Sequence, residues 1–179
     1  MNRILSIILN SPLIIIFVIT LAVSTRLVAH PYNFTPVLAF SLMMGVYSKN
    51  NLGILVPISI MFISDYFLGF HDTILSVYLS ISLVYLLGYY LINNYKFKNI
   101  LLGSMVGPLL FFIITNFGVW MNDGIIGIYA DNFMGLMDCY YRALPFFRST
   151  LLSTVFYSGI IHVCYLLLYE KFPVFQSNK

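Results

Sequence analysis

Long apolar runs alternate with short polar segments along the whole chain. A helix that crosses the hydrocarbon core of a bilayer needs about 20 mostly apolar residues. The runs have this length or somewhat less, and the polar segments between them contain residues that begin and end helices. The pattern predicts six membrane-spanning helices, at about 13–28, 36–47, 52–68, 73–92, 100–119 and 145–169.

Proline, glycine and hydroxyl residues mark the ends of several predicted spans. Pro31 disfavours helical geometry in the residue before it, which predicts that the first helix stops near His30. Thr35 followed by Pro36 is a helix-start signal, because a hydroxyl caps the first turn and proline fits its first position. Gly69 is typical of a helix end and closes the third span.

The last third of the chain carries two further signals. Gly103 and Gly107 in the fifth span have the spacing that lets two helices approach closely in lipid. The segment 122–141 contains three aspartates among apolar residues, which predicts a loop followed by a short interfacial helix. We expect the sixth span to begin at Pro145.

Composition narrows the class of protein. The 179 residues are 60% hydrophobic and only 8% charged, with a mean hydropathy of +0.92, whereas a soluble domain is about 25% charged. This predicts an all-α integral membrane protein in which residues 1–179 form a single transmembrane domain facing the lipid bilayer. The net charge is +3, without a Lys/Arg cluster, so a nucleic-acid partner is not expected.

The positions of the basic residues predict the orientation, because cytoplasmic loops retain positive charge. With six spans, both termini lie on the same side as the loops after spans two and four. That side would hold Arg3, Lys49, Lys96, Lys98, Lys171 and Lys179, and the other side only Arg26, Arg142 and Arg148. We therefore expect both termini to lie in the cytoplasm. The protein is expected to be a multi-pass protein of the inner membrane of a bacterial cell.

The same topology places most of the unusual polar residues in one layer, at the outer ends of the helices. Arg26 and Asp65 both lie near such an end, and ionisable groups inside a membrane normally pair or line a cavity. We predict that these two residues form an ion pair beside an outward-facing pocket for a small organic ligand. The candidate substrate-binding residues are Arg26, His30, Asn33, Asp65, His71, Asn116, Trp120, Arg142 and Arg148.

Structural roles are an alternative for the same residues. Arg26 and Asp65 could hold two helices in register without any ligand. Aromatic side chains with a polar tip favour the headgroup depth of a bilayer, and such interfacial positions are expected for Trp120, Tyr66, Tyr78, Tyr140 and Tyr141. His162, deep in the sixth span, is expected to be a packing residue.

Patterns typical of an enzyme or a metal site are missing from the sequence. It has no HExxH motif and no nucleophile with a base nearby, since Cys139 follows Asp138 without a histidine close in sequence. Cys139 and Cys164 have neither CxxC spacing nor metal-ligand grouping. We therefore expect neither enzymatic activity nor a metal or other cofactor.

Four motifs carry a family resemblance. They are Arg26-x-x-x-His30-Pro31-x-Asn33-Phe34-x-Pro36, Ser64-Asp65-x-x-x-Gly69, Thr115-Asn116-Phe117-Gly118-Val119-Trp120 and Ala143-Leu144-Pro145-Phe146-Phe147-Arg148. Their order resembles an uncharacterised bacterial family of six-span membrane proteins. That family is similar to the substrate-binding S components of energy-coupling-factor (ECF) vitamin transporters.

The resemblance implies a six-helix bundle that binds a micronutrient from outside the cell. It also implies a partner, the ECF energising module, whose transmembrane coupling subunit contacts the first helix of an S component through small residues. In this chain Ala22 is followed four residues later by Arg26 and not by a second alanine. The function expected is a substrate-binding subunit for uptake of a small water-soluble nutrient, and the alternative is a cell-envelope scaffold without a ligand.

Overall fold

Helices make up almost all of the chain that the structure describes. The computed structural model describes residues 12–28, 33–48, 51–92, 96–123 and 127–171, which contain no strand. The α-helices of these ranges are α1 (Pro12–Leu27), α2 (Val37–Ser48), α3 (Leu55–Leu68), α4 (Ile74–Leu86), α5 (Phe97–Asn122) and α6 (Phe133–Lys171). A 3-10 turn, Asn51–Ile54, precedes α3, and a π-helical turn, Leu87–Leu91, extends α4. The prediction of an all-helical fold is confirmed for this part of the chain.

The central helix of the bundle is α2. It contacts α3, α4, α5 and α6, and all but two of its 12 residues are buried. At 1.5 Å per residue α2 is about 18 Å long, whereas the 26 residues of α5 extend over about 39 Å. Because its neighbours are longer, α2 leaves space between them beyond its first residue, Val37.

Two glycines let α2 and α4 cross at very short distance. A β-carbon at Gly45 would lie 2.1 Å from the carbonyl oxygen of Tyr85, and one at Gly88 would lie 2.3 Å from the carbonyl oxygen of Leu42. Both neighbours are backbone atoms, which cannot swing away as a flexible side chain can. Only glycine therefore permits this crossing at either position.

The glycine pair predicted on α5 has a related but weaker role. Gly103 and Gly107 are buried, and the closest atoms to a β-carbon there would be side-chain atoms of Ile92 at 2.6 Å and of Val84 at 3.2 Å. The pair thus makes room for side chains of the neighbouring helices. The closest backbone approach lies at Gly45 and Gly88, which the sequence reasoning did not single out.

The prediction for the end of the chain is wrong in one respect. Residues 133–171 form one uninterrupted helix, with Pro145 inside it, whereas the sequence indicated a short interfacial helix and a separate span opening at Pro145. A proline inside a helix removes one backbone hydrogen bond and costs about 3 kcal/mol. α6 packs against its neighbours on both sides of Pro145: before it, the hydroxyl of Tyr140 donates to a carbonyl oxygen of α5, and after it, His162 shares a hydrogen bond with Tyr47 of α2.

Apolar side chains cover the outside of the bundle. All described helices except α2 expose large hydrophobic residues, and Leu75 at the start of α4 is 83% exposed. Among the described residues, two helices are long and apolar enough to cross a membrane, Phe97–Asn122 and Phe133–Leu167, and the other apolar helices are shorter.

Candidate functional site

An ion pair joins the end of α1 to the end of α3. Nη1 of Arg26 donates to Oδ1 of Asp65 at 2.9 Å, as the sequence predicts. The Asp65 side chain is only 1% exposed, and its other oxygen, Oδ2, accepts a hydrogen bond from the hydroxyl of Tyr78 on α4 at 3.1 Å. Nη1 of Arg26 also donates to Oγ of Ser64 and to Sδ of Met61. These bonds hold the arginine in one place and satisfy the buried carboxylate.

Arg26 borders a cavity of about 570 Å³ that is partly open to the surroundings. Its walls come from the ends of all six helices that meet at this side of the bundle, including Val37 and Leu38 at the start of α2. The volume lies within the range of roughly 300–1,000 Å³ that is typical of sites for small ligands. The cavity occupies the space that the short central helix leaves open.

Five of the nine candidate residues line this cavity: Arg26, Asn33, His71, Asn116 and Arg142. They come from α1, from the segments before α2 and α4, and from α5 and α6. Asp65 is behind Arg26, where it fixes the guanidinium without reaching the cavity wall. His30, together with Pro31, lies outside the described residues.

Two candidates lie away from the cavity. Successive residues of an α-helix are about 100° apart around its axis, so Trp120 is turned away from Val119, which lines the cavity. The indole Nε1 of Trp120 instead donates to the carbonyl oxygen of Ala130 at 3.1 Å. Arg148 follows Arg142 by six residues, which brings it to a different face of α6, where it is exposed. Neither of these two residues, which the sequence suggested for the site, lines this cavity.

The two arginines of the cavity bond their carboxylate partners through one nitrogen each. Arg142 donates from Nε to Oδ2 of Asp138 at 2.8 Å, in a pair one turn apart on α6 that is largely exposed. Arg26 uses Nη1 alone. A guanidinium has five N–H donors, so each side chain retains donors that have no acceptor among the described residues.

The two asparagines of the cavity are held in different ways, Asn116 by a side-chain hydrogen bond and Asn33 by its backbone conformation. Nδ2 of Asn116 donates to the carbonyl oxygen of Phe112 on its own helix at 2.8 Å, which leaves its oxygen as an acceptor. Asn33 has a φ angle of 59°, in the left-handed region that asparagine tolerates better than most residues. Its position just before α2 is therefore set by the backbone turn.

Several residues at or near the site were not assigned to it from the sequence. Tyr78 was expected at the membrane interface, yet it binds Asp65. The sequence contained a signal for this contact. Asp65 lies near the end of the predicted third span and Tyr78 near the start of the fourth, and adjoining ends of consecutive spans lie on the same side of a membrane. Tyr129 and Cys139 also line the cavity, and burial raises the pKa of the Tyr129 phenol above its ordinary value of 10.0. Tyr129 is therefore a neutral hydrogen-bonding group at physiological pH.

Several polar residues form hydrogen bonds inside the bundle, and His162 has the packing role expected for it. The hydroxyls of Ser80 and Thr154 each donate to a carbonyl oxygen of their own helix, four residues earlier. His162 is buried, and its Nδ1 shares a hydrogen bond with the hydroxyl of Tyr47. Cys139 and Cys164 are both free, and they lie 25 residues apart on one helix, which corresponds to about 37 Å.

The chain belongs to a protein family through nearly its whole length. Residues 7–175 match the family described as "Family of unknown function (DUF6580)". No curated protein and no solved structure matches the chain significantly. Within the described residues, no three His, Cys, Asp or Glu side chains are grouped so that they could hold a metal ion.

Proposed function

We propose that this DUF6580 protein is a multi-pass membrane protein that captures a small water-soluble nutrient from outside the cell. In this proposal its six helices form a bundle like that of an ECF transporter S component, in the inner membrane of a bacterium. The protein binds its ligand in the cavity beside Arg26 and performs no covalent chemistry.

The outer surface of the bundle supports the membrane location. Only 8% of the residues are charged, and large apolar side chains are exposed on every described helix except the central one. Water would leave these side chains unfavourably solvated, whereas lipid chains are as apolar as the side chains themselves. In the proposed arrangement α1 and α3–α6 face lipid and α2 is enclosed by protein.

The cavity is the observation that carries the capture function. A scaffold needs no internal volume, and its polar residues would pack against one another at this end of the bundle. Instead, about 570 Å³ remains open next to Arg26, with side chains from six helices around it and polar and aromatic groups among them. A mostly apolar cavity with a few convergent polar groups is what a small ligand requires.

In the proposed topology the cavity lies at the outer end of the bundle. Arg26 is near the end of α1, and Asn116 is near the end of α5. Both positions correspond to the non-cytoplasmic side if the positive-inside rule sets the topology. A ligand would then enter from outside the cell.

An ECF-type energising module remains the proposed partner, but its contact with α1 must differ from the usual one. Ala22, the small residue of α1 to which the S-component resemblance draws attention, is fully buried in the core. A coupling subunit therefore cannot reach it on the folded protein. In the proposed complex the coupling subunit contacts the exposed side of α1, where Phe17 and Leu21 lie.

The proposal is tested by the small molecule that remains bound to the purified protein. Ala143 lines the cavity and is buried, whereas its neighbour Leu144 is exposed and does not line it. Ala143→Phe should fill part of the cavity, and Leu144→Phe adds a similar ring on the outside. Native mass spectrometry and metabolite extraction of the wild type and both variants should show a retained molecule in the wild type and in Leu144→Phe only.

The folded state of each variant is checked by its melting temperature in detergent. Loss of the molecule from a folded Ala143→Phe variant supports capture in this cavity. Retention by both variants places the ligand elsewhere, and absence of any ligand from the wild type, even after addition of a metabolite panel, favours the scaffold.

A further inference from the structure

We propose that the ligand of this cavity is a small organic anion, with a carboxylate or phosphate bound by Arg26 and Arg142 and an apolar body held between phenylalanine side chains. The inference rests on the proposed function and names the chemical class of the molecule that is captured.

The charged side chains of the cavity wall have one sign. They are the two arginines Arg26 and Arg142, and no aspartate or glutamate lines the cavity. Guanidinium groups bind carboxylates and phosphates with charge-assisted hydrogen bonds, which are roughly twice as strong as neutral ones. A cationic ligand would meet two positive charges without a carboxylate at the wall to balance them.

The carboxylates that partner the arginines do not cancel this preference. Both oxygens of Asp65 already accept hydrogen bonds, from Arg26 and from Tyr78, and the side chain is buried behind the wall. Asp138 also does not line the cavity, and it takes only the Nε donor of Arg142. Both carboxylates therefore hold their arginines in position while the remaining guanidinium donors are available to a ligand.

The unused donors fit an anion with two or more oxygens. Nε and Nη2 of Arg26 have no acceptor among the described residues, since all of its hydrogen bonds there start at Nη1. Nη1 and Nη2 of Arg142 likewise have no acceptor among the described residues, since Arg142 binds Asp138 through Nε. Parallel N–H groups of one guanidinium match the spacing of two carboxylate or phosphate oxygens.

The rest of the cavity wall suits an apolar body. Two phenylalanine pairs line it, one on α5 and one on α6: Phe111, Phe112, Phe146 and Phe147. The rings of Phe112 and Phe147 are 4.9 Å apart between centroids. A purely inorganic ion would leave this surface uncovered, whereas an aromatic or aliphatic carboxylate would contact it and bury apolar area.

The test uses three variants of α6 in the full-length protein. Arg142→Gln removes one of the two guanidinium groups, Asp138→Asn keeps Arg142 but frees its Nε, and Arg148→Gln removes an exposed arginine that does not line the cavity. Arg142 and Arg148 are exposed and the side chain of Asp138 is 43% exposed, so none of the changes leaves a buried charge unpaired. Melting temperatures in detergent check that each variant is folded.

Two measurements follow. The molecule extracted from the wild type is partitioned between water and chloroform and identified by mass spectrometry. Affinities are then measured by thermal shift with metabolites in matched sets, each set a carboxylic acid or phosphate ester, its neutral amide or alcohol, and the corresponding amine. We expect an anion in the aqueous phase, binding by acids and esters only, and an affinity about tenfold to a hundredfold lower in Arg142→Gln. Arg148→Gln should equal the wild type, and Asp138→Asn should bind as tightly or more tightly.

The other possible results contradict either the anionic class of the ligand or the capture function itself. Binding of neutral or cationic members alone, or unchanged affinity in Arg142→Gln, refutes the anion class while nutrient capture stands. An acidic phospholipid in the chloroform phase refutes a water-soluble ligand. If no molecule is retained and no member of any set binds, the capture function fails and this inference fails with it.

Discussion

Nη1 of Arg26 lies 2.9 Å from Oδ1 of Asp65, across 39 positions of sequence. The pair joins α1 to α3. Arg26 both forms this ion pair and lines the cavity, so the stability of the bundle and the shape of the cavity depend on the same side chain. Asp65 is buried and the side chain of Arg26 is 16% exposed. The carboxylate therefore depends on its partners more than the arginine does.

Replacing one member of this ion pair should lower the free energy of unfolding, because the other member is left without its counter-charge. Asp65→Asn leaves Arg26 without its counter-charge, and Arg26→Gln leaves a buried carboxylate, so each should destabilise the protein by up to about 3–5 kcal/mol. The double variant should be less destabilised than the sum of the two. Thermal or denaturant unfolding in one detergent measures all four proteins. Additivity within about 0.5 kcal/mol would show that the two residues do not act as a pair.

Tyr78 should contribute to the same contact through its hydroxyl. Tyr78→Phe removes the donor to Oδ2 of Asp65, and hydrogen bonds to charged groups are worth about 1.5–3 kcal/mol. We expect a lower melting temperature for this variant. Tyr66→Phe is the matched control, because Tyr66 is 71% exposed and its hydroxyl binds no described residue. Equal behaviour of the two variants would mean that Tyr78 is only an interfacial residue.

The crossing of α2 and α4 should tolerate no side chain at Gly45. Gly45→Ala would place a β-carbon against the Tyr85 carbonyl, so helix separation must increase, at a cost of about 2 kcal/mol or more. Gly159→Ala on α6 meets nothing within 4 Å, and the higher helix propensity of alanine should stabilise it slightly. The melting temperatures of the two variants should move in opposite directions. A stable Gly45→Ala protein would contradict the close approach.

Asn33 offers a way to separate ligand binding from folding. Its φ of 59° suits glycine, so Asn33→Gly removes the amide side chain with the backbone turn preserved. This variant should fold but retain less ligand, as measured by mass spectrometry of the purified protein. Asn33→Ala adds backbone strain and should be less stable than Asn33→Gly. Full ligand retention in a folded Asn33→Gly protein would exclude the side chain from the site.

The proposed orientation predicts where the chain ends lie. A reporter active only in the cytoplasm should give signal when fused after Lys179 and none when inserted at Asp123, because the predicted cytoplasmic side holds six of the nine basic residues. Immunoblots establish that both fusions are equally abundant. A fusion at Lys179 that gives no signal would show that the topology is the reverse of the proposed one and that the cavity faces the cytoplasm.

Much of this protein can be derived from the sequence because the relevant signals are local. Apolar runs and the residues that cap or break helices indicated most of the helices that the structure contains, within a few residues. The scarcity of charge made Arg26 and Asp65 conspicuous, and their pairing follows from the high energy of an isolated charge in apolar surroundings. Five of the nine candidate residues lie around one cavity.

Only the tertiary structure decided which helix is central and which faces point inward. The helices of this chain are apolar on nearly every side, so their sequence periodicity does not distinguish a buried face from an exposed one. Rotation and depth of each helix follow from contacts between distant segments, such as the crossing of Gly45 and Gly88. Those contacts turn Asn116 and Arg142 toward the cavity and Trp120 and Arg148 away from it. α6 also runs through Pro145 and contacts its neighbours on both sides of it, which a local helix-start signal in the sequence does not reveal.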